Sequence, residues 1–286
     1  MKKINNILLP TDFSSCSKRA AAEAFALASR CSATSHLLYA STTRAQSDFW
    51  PGLMPNEHEI LMEPETTVAR DMSALLQGRE IDESRLFKIQ VRGSDETSSI
   101  VSYARENPID LIIIGAHGEQ SGVTHEDAMG SVARDIVRSA PCPVITLKED
   151  RAEQHLARLN TILAPLDFSE ITEATLTQAA DLAVAFGSTL QLLHVVQGEQ
   201  AMSHALGTMA QIRDRVRAKL NGAARVEIDM VIGDPAREIT RFAEENACDL
   251  IYLTRKDEVN GPMMGRITEY VFHEAGCPVY IAPISA

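Results

Sequence analysis

Short apolar runs alternate with longer amphipathic stretches along the whole chain. In the first half the apolar runs are INNILLP, SHLLYA, LFKIQVRG, DLIIIG and PVITL. Between them lie stretches such as SSCSKRAAAEAFALASRC, in which Ala, Phe and Leu recur at helical spacing. Strands that alternate with helices predict βαβ units, which build a mostly parallel sheet with helices on both faces. We therefore expect an α/β fold with a doubly wound, five-stranded parallel sheet in this half.

The second half repeats the first. Three stretches recur in the same order: NNILLPTDFS as NTILAPLDFS, ENPIDLIIIG as ENACDLIYLT, and SAPCPVITL as EAGCPVYIA. A repeat of this length is a duplicated domain, so the same sheet is expected twice in tandem. We predict a first domain over residues 1–148, a charged linker over 149–158 and a second domain over 159–286.

One stretch of the first half shows neither the helical nor the strand periodicity of apolar residues. Residues 44–64 contain the only tryptophan of the chain, Trp50, together with apolar side chains such as Phe49, Leu53 and Met54. We interpret this stretch as a long loop or lid. Its apolar area suits a contact with a partner, and it is equally suited to folding back onto its own domain.

The charge balance narrows the choice of partners. The 286 residues include 27 basic and 39 acidic side chains, which gives a formal net charge of −12. Because nucleic acids and anionic membranes require a basic footprint, we expect neither as the main partner. The five cysteines form no CxxC pair, which is typical of reduced thiols. With no signal peptide and no apolar run of about 20 residues, the sequence predicts a cytoplasmic protein.

Glycines follow the fourth strand of the first half in a pattern that suits an anion. Gly115 ends DLIIIG, Gly118 follows it, and Gly130 and Ser131 open the next predicted helix. Ligands of open parallel sheets bind at the carboxyl ends of strands, and a helix start offers unpaired N–H groups to a phosphate. The same glycines are equally consistent with ordinary turns. The spacing is neither GxGxxG nor GxxxxGKS, so it indicates neither a dinucleotide fingerprint nor a P-loop.

Several motifs, taken together and in order, resemble those of the universal stress protein (UspA) family. They are ILLPTDFS, DLIIIGAHG and GSVARDIVRSAPCPVITL in the first half, and ILAPLDFS, GDPAREI, ENACDLIYLT and GCPVYIAP in the second. The resemblance covers nearly the whole chain and is to the tandem, UspE-like type. It implies two Rossmann-like domains of the adenine nucleotide alpha hydrolase-like kind.

The resemblance also implies an ATP site in the first domain, with ADP or AMP as alternative ligands and Mg²⁺ as a possible companion. Matching the family's motif to this chain selects ten residues: Pro10, Thr11, Asp12, Ala40, Gly115, His117, Gly118, Gly130, Ser131 and Val132. The first-strand residues and Ala40 would flank the base and ribose, and the glycines and Ser131 would meet the phosphates. For His117 a solvated loop position is the plainer interpretation. The gap between Gly118 and Gly130 is longer than in the family's pattern, and we expect this loop to become ordered on binding.

The second domain departs from the family's pattern. Thr254 and Asp257 stand where the two glycines are expected, and Arg266 replaces the serine. We therefore predict that its nucleotide site is degenerate. Family dimers pair through the last strand, so PVITL and PVYIA are expected to form an internal pseudo-dimer, and a further homodimer is left open.

No catalytic constellation such as GxSxG or HExxH is present in the sequence. The main hypothesis is a nucleotide-dependent sensor or adaptor with an unidentified protein partner and at most slow ATP hydrolysis. Two alternatives stay open. One is a module that binds another small molecule or a protein on the same scaffold. The other is a phosphate-transferring enzyme.

Overall fold

The structure, a computed structural model, describes residues 4–42, 58–61, 65–79, 81–116, 130–148, 155–168, 172–258 and 261–285. The chain divides into two compact units, Lys3–Glu149 and Asp150–Ala286. Each unit is an α/β structure on a mainly parallel sheet, which confirms the predicted fold class. Among the described helices, none combines the length and apolar character needed to cross a membrane.

The N-terminal unit has its strands in the order β3-β4-β2-β1-β5-β6. The strands are β1 (Asn6–Pro10), β2 (Thr34–Thr42), β3 (His58–Leu61), β4 (Leu86–Gly93), β5 (Leu111–Gly115) and β6 (Val144–Leu147). The helices are α1 (Ser15–Cys31), α2 (Thr66–Leu76), α3 (Glu96–Glu106) and α4 (Ser131–Ser139), with a 3-10 turn at Glu83–Arg85. Because β1 has β2 on one side and β5 on the other, its carboxyl end lies where the strand order reverses.

The stretch 44–64 is predicted as a loop, and the structure corrects this prediction over residues 58–61. These residues form β3, which runs antiparallel to β4 with Ile60 opposite Val91. The N-terminal sheet therefore has a sixth strand where five are predicted. A strand of four residues is too short for its alternation to show in the sequence, yet it covers the edge of β4. The part of the stretch that contains Trp50 lies outside the described residues.

The C-terminal unit has the order β12-β10-β7-β8-β9, all parallel, with β11 antiparallel to β10. Its strands are β7 (Thr161–Leu166), β8 (Thr189–Val196), β9 (Val226–Ile232), β10 (Leu250–Glu258), β11 (Gly261–Met263) and β12 (Val279–Ser285). Its helices are α5 (Thr172–Phe186), α6 (Glu199–Leu220), α7 (Pro235–Glu245) and α8 (Arg266–Glu274). The short hairpin of β10 and β11 is not predicted from the sequence.

The central strands are buried on both faces, as their continuous apolar runs predict. In β1, Ile7 and Leu8 are fully buried, and in β5 Ile112 and Ile113 are fully buried as well. Helix α1 covers this sheet with small side chains such as Ala24, which is also fully buried. Small residues let the helix approach the strands closely, so α1 begins directly above the carboxyl end of β1 and β5.

A carboxylate ties the first strand of each unit to the strand beside it. In the N-terminal unit, Asp110 Oδ2 accepts hydrogen bonds from the amides of Asn5 at 2.9 Å and Asn6 at 3.1 Å. In the C-terminal unit, Asp249 Oδ2 accepts from the two equivalent amides, at 2.8 Å each. The duplication has therefore kept this contact, which sets the register of the strands that lead to the site.

A buried histidine lies between β1, β2 and α3. His36 is 6% exposed, with Nδ1 2.8 Å from the Tyr103 hydroxyl and Nε2 3.3 Å from Asn6 Oδ1. With the Asn6 oxygen as acceptor, Nε2 carries the proton and Nδ1 accepts from the tyrosine. Burial lowers the pKa of His36 to about 4 and raises the pKa of Tyr103 to about 12. Both side chains are therefore neutral in the folded protein at neutral pH.

This histidine predicts a loss of stability in mild acid. Below about pH 6.5 the unfolded chain binds a proton on His36 that the folded chain does not accept until about pH 4. The free energy of unfolding should fall by up to about 1.4 kcal/mol per pH unit across this window from this residue alone. His36→Gln, which copies the residue at the equivalent position of the C-terminal unit, Gln191, should remove that part of the slope. Urea unfolding at pH 7.0, 5.5 and 4.5 measures it, and identical slopes for the two proteins would contradict the assignment.

Candidate functional site

The turn after β1 is built by its own polar side chains. The Thr11 amide donates to the Leu38 carbonyl at 2.9 Å, which keeps the turn attached to β2. The Phe13 amide donates to Thr11 Oγ1 at 3.1 Å. Asp12 Oδ1 accepts from the Ser14 amide at 3.1 Å and from the Ser14 hydroxyl at 2.6 Å. The carboxylate of Asp12, an exposed residue, is thus held in one orientation at the carboxyl edge of the sheet.

The same turn caps helix α1. Ser14 Oγ accepts from the Ser17 amide at 3.2 Å, so of the two serines that could cap the helix, Ser14 and Ser15, the N-cap is Ser14. Thr11 is 7% exposed, and its hydroxyl lies 3.2 Å from the Ser17 hydroxyl. Pro10, the residue before Thr11, is buried at the end of β1. The first-strand residues of the predicted site therefore form one rigid turn that leads directly into α1.

An aromatic contact that the sequence does not predict completes this turn. Phe13 has a left-handed backbone with a φ of 64°, which is unusual for a bulky residue. Its ring stacks on Tyr39 of β2, with ring centroids 5.2 Å apart. Phe168 repeats the φ at 60° and stacks on His194 at 3.8 Å in the C-terminal unit. The repeated DFS triplet was the signal that this position is special, although nothing in it indicates the stacking partner.

Gly115 lies at the end of β5 and packs against the start of α1. A Cβ at this position would lie 2.9 Å from Cys16 Sγ, 3.0 Å from the Cys16 carbonyl carbon and 3.1 Å from the Ser17 nitrogen. The sequence suggests that this glycine is needed so that a ligand can approach. The structure gives a different reason, because the missing side chain makes room for the helix. The place of Gly115 in a ligand site stays a prediction.

Helix α4 starts directly beside the end of β5. The Gly130 amide donates to the Ala116 carbonyl at 2.8 Å, and the Ala116 amide donates to Leu147 of β6 at 2.7 Å. Gly130 is the N-cap, no side chain caps the helix, and its first turn holds no acidic residue. Ser131 is exposed and Val132 is half-buried at this start. The helix thus presents main-chain amides at the carboxyl edge, which is the arrangement that binds anions.

The strand order brings most of the predicted residues to one edge. β1 pairs with β5 on one side and with β2 on the other, and Ala40 continues β2 as a half-buried residue. Asp12, Ala40, Gly115 and Gly130 therefore all lie at or near the carboxyl ends of neighbouring parallel strands. His117 and Gly118 lie outside the described residues, as does the rest of the loop up to residue 129.

One basic side chain stands at the start of α4. Arg134 stands in the first turn of the helix, with its Nε buried and 3.9 Å from Asp135 Oδ1. Within the described ranges, no group of three or more His, Cys, Asp or Glu side chains is placed to hold a metal ion. The donors described at this edge are main-chain amides and hydroxyls, which match phosphate oxygens.

The equivalent edge of the C-terminal unit is built differently. Here β10 does not stop at Thr254, which corresponds to Gly115, but continues to Glu258. The main chain of Asp257, which corresponds to Gly118, pairs with Ser285 of β12 and with Pro262 of β11. The Thr254 hydroxyl lies 3.3 Å from the Thr175 hydroxyl of α5. A strand paired on both sides thus stands at the positions that correspond to Gly115 and Gly118 in the sequence, so its amides are directed into the sheet.

The comparisons with known proteins place both halves of the chain in one family. A model of the Universal stress protein family matches residues 3–148 and again 159–283. Universal stress proteins of Mycobacterium tuberculosis (strain H37Rv) and Mycobacterium bovis are each 22% identical over 188 residues. That match spans 62% of this chain and 62% of each relative, which is less than two thirds of their length.

Solved structures share the fold over nearly the full length. A universal stress protein from Archaeoglobus fulgidus DSM 4304 aligns with a TM-score of 0.67 at 19% identity, covering 98% of this chain and 99% of that chain. A protein from Pseudomonas aeruginosa UCBPP-PA14 aligns with a TM-score of 0.65 at 15% identity, covering 98% and 93%. At such identities the likeness establishes the fold alone.

Proposed function

Since this chain belongs to the universal stress protein family, we propose that its N-terminal unit binds an adenine nucleotide and acts as a sensor or adaptor. The ligand is ATP, with ADP and AMP as weaker alternatives. One observation carries the proposal: the hydrogen bond from the Gly130 amide to the Ala116 carbonyl sets an uncapped helix start at the end of β5. A triphosphate placed there receives main-chain hydrogen bonds and the positive end of the helix dipole.

Different residues at this edge would bind different parts of the nucleotide. The main-chain amides of Ser131 and Val132, with the Ser131 hydroxyl, would hold phosphate oxygens. The turn that contains Asp12 lies where the strand order reverses, and the ribose and base of the nucleotide would bind there. Ala40 and Pro10 would supply apolar contacts to the base. Gly118 and His117 belong to the loop that is proposed to order over the phosphates.

Binding rather than rapid turnover fits the chemistry of Asp12. Its Oδ1 already accepts two hydrogen bonds from Ser14, and one of them comes from the hydroxyl at 2.6 Å. These bonds engage the oxygen in holding the turn, which suits a binding role for Asp12 better than proton abstraction. We therefore propose that the bound nucleotide changes the surface offered to a partner protein and is hydrolysed slowly at most.

The C-terminal unit is proposed to have lost this site. Its strand β10 is paired through Asp257 on both sides, and Arg266 occupies the position of Ser131. The proposal is therefore one nucleotide for each chain. Mg²⁺ would enter as a companion of the ATP phosphates, and no described side chain of this chain is assigned to hold it.

A thermal-shift series with the full chain tests the proposal. ATP at a hundredfold excess over its dissociation constant should raise the stability of the folded state by about 2.7 kcal/mol. ADP and AMP should give smaller shifts, and inorganic triphosphate tests the phosphate subsite without the base. No shift at millimolar nucleotide would contradict nucleotide binding. Equal shifts with ATP and inorganic triphosphate would contradict recognition of the base.

A further inference from the structure

The backbone of Phe13 lies in the left-handed region, with a φ of 64°, inside the turn that joins β1 to α1. A Cβ makes this region unfavourable, so glycine is the usual residue where a turn needs it. A bulky residue keeps such a conformation only where its surroundings hold it, and such residues are concentrated at ligand sites. Phe13 follows Asp12 directly, in the turn that is proposed to meet the ribose and base.

Phe13 belongs to two overlapping turns, each closed by a side chain. Thr11 Oγ1 accepts from the Phe13 amide at 3.1 Å, and Asp12 Oδ1 accepts from the Ser14 amide at 3.1 Å. Both bonds run from a side-chain oxygen to the amide two positions further on. The backbone dihedral angles of Phe13 set the direction of the peptide group that carries the Ser14 amide. A different conformation at Phe13 would therefore turn this amide away from the Asp12 carboxylate.

Two contacts hold Phe13 in this conformation. The first is the Thr11 hydroxyl, which accepts from the Phe13 amide and lies 3.2 Å from the Ser17 hydroxyl of α1. The second is the ring of Tyr39, on which Phe13 stacks with an angle of 23° between the ring planes. Tyr39 precedes Ala40, so the stack joins the turn to the strand that is proposed to contact the base. A glycine would adopt the same φ, but it would lose the ring contact and gain other conformations.

The C-terminal unit keeps one of these two contacts. Phe168 has a φ of 60° and stacks on His194, with the ring centroids 3.8 Å apart. Leu166 stands at the position of Thr11, and its side chain has no oxygen that could accept from the Phe168 amide. The hydroxyl is therefore absent from the unit in which the nucleotide site is proposed to be lost. Phe168 thus offers a matched control for any change at Phe13.

We propose that Phe13 is a positioning residue of the nucleotide site. Its strained backbone holds the Asp12 carboxylate in the orientation that accepts hydrogen bonds from the ribose hydroxyls. This inference rests on the nucleotide site proposed above. Asp12 makes the contact with the ribose, and Phe13 sets its direction through the Ser14 amide. Selectivity for a ribose that carries its hydroxyls therefore depends on a residue that does not itself bind the ligand.

Titration calorimetry of the full chain with ATP and with dideoxy-ATP, which lacks both ribose hydroxyls, measures this selectivity. The wild-type chain should bind ATP at least about tenfold more tightly than the analogue, because the analogue cannot donate to the charged carboxylate. In Phe13→Gly, ATP should bind no more tightly than the analogue. In Phe13→Tyr, which keeps both the ring and the Cβ, the preference for ATP should remain.

Phe168→Gly makes the same change in the C-terminal unit and should leave the preference for ATP unchanged. A purely structural role of Phe13 would weaken ATP and the analogue by the same factor, so the preference would survive in Phe13→Gly. That result, or a wild-type chain that binds the two ligands equally, would overturn the inference and leave the nucleotide site standing. A preference lost equally in Phe168→Gly would overturn the inference too. A wild-type chain that binds neither ligand would overturn both the site and the inference.

A second pair of variants tests the hydroxyl and leaves the ring in place. Thr11→Val keeps the shape of the side chain and removes the oxygen that accepts from the Phe13 amide. The preference for ATP over dideoxy-ATP should fall in Thr11→Val and should return in Thr11→Ser, which restores the hydroxyl. This pair decides the question if Phe13→Gly does not fold. An undiminished preference in Thr11→Val would contradict the inference.

Discussion

Gly130→Asp is expected to abolish nucleotide binding by the N-terminal unit while the fold stays intact. The φ of −56° and ψ of 136° at Gly130 are open to any residue, and aspartate is a favoured N-cap. The new carboxylate would accept hydrogen bonds from the amides at the start of α4 and place a negative charge where phosphate is proposed to bind. Like charges in one site cost several kcal/mol, so affinity for ATP should fall on the order of a hundredfold or more.

The duplication supplies a matched control for this variant. Gly265 is the N-cap of α8 in the C-terminal unit, and nothing lies within 4 Å of a Cβ added there. Gly265→Asp adds the same charge at the same kind of helix start, and it should leave the affinity for ATP unchanged. Arg266→Ala should leave it unchanged as well. Calorimetric titration of ATP into each of the three variants measures these affinities. A loss with Gly265→Asp as large as that with Gly130→Asp would place the site elsewhere.

Gly115→Ala is expected to destabilise the N-terminal unit by about 2 kcal/mol, within the range for overpacking a well-packed interior. The added Cβ would lie 3.0 Å and 3.1 Å from main-chain atoms of Cys16 and Ser17. Rotation of the Cys16 side chain would relieve the contact of the added Cβ with Cys16 Sγ, but it would not relieve these two main-chain contacts. The start of α1 therefore has to move away from the end of β5. Urea unfolding of the full chain measures the loss.

A glycine with open surroundings is the control for this second variant. Gly207 lies in α6, with nothing within 4 Å of an added Cβ. Gly207→Ala should therefore stabilise the protein by about 1 kcal/mol, because alanine is the better helix former. If Gly115→Ala were as well tolerated as Gly207→Ala, the packing explanation for Gly115 would be wrong.

Elements with a long periodic signal could be predicted from the sequence. The apolar runs predict both parallel sheets, and the serine before α1 predicts its cap, which Ser14 forms. The Gly-Ser pair at 130–131 predicts the start of α4 at Ser131. In each case the local pattern and the tertiary structure favour the same conformation, so the element can be predicted without knowledge of long-range contacts.

Other features depend on contacts that no local pattern encodes. β3 is four residues long, and it exists because the edge of β4 is available to pair with it. The extension of β10 beyond Thr254 depends on partners on both sides, β11 and β12. The stacking of Phe13 on Tyr39 joins the turn after β1 to the neighbouring strand β2. Such features follow from the assembled sheet, and each lies at an edge or at a carboxyl end of its strands.

The amide chemical shifts of residues 131–133 report on phosphate binding at the start of α4, because main-chain amides are the proposed donors. We expect ATP to change these chemical shifts strongly and to leave those of residues 266–268, at the start of α8, unchanged. A two-dimensional ¹⁵N–¹H spectrum of the full chain, recorded with and without ATP, reports both helix starts in one sample. Unchanged amides at 131–133 under saturating ATP, or equal shifts at both helix starts, would contradict the account.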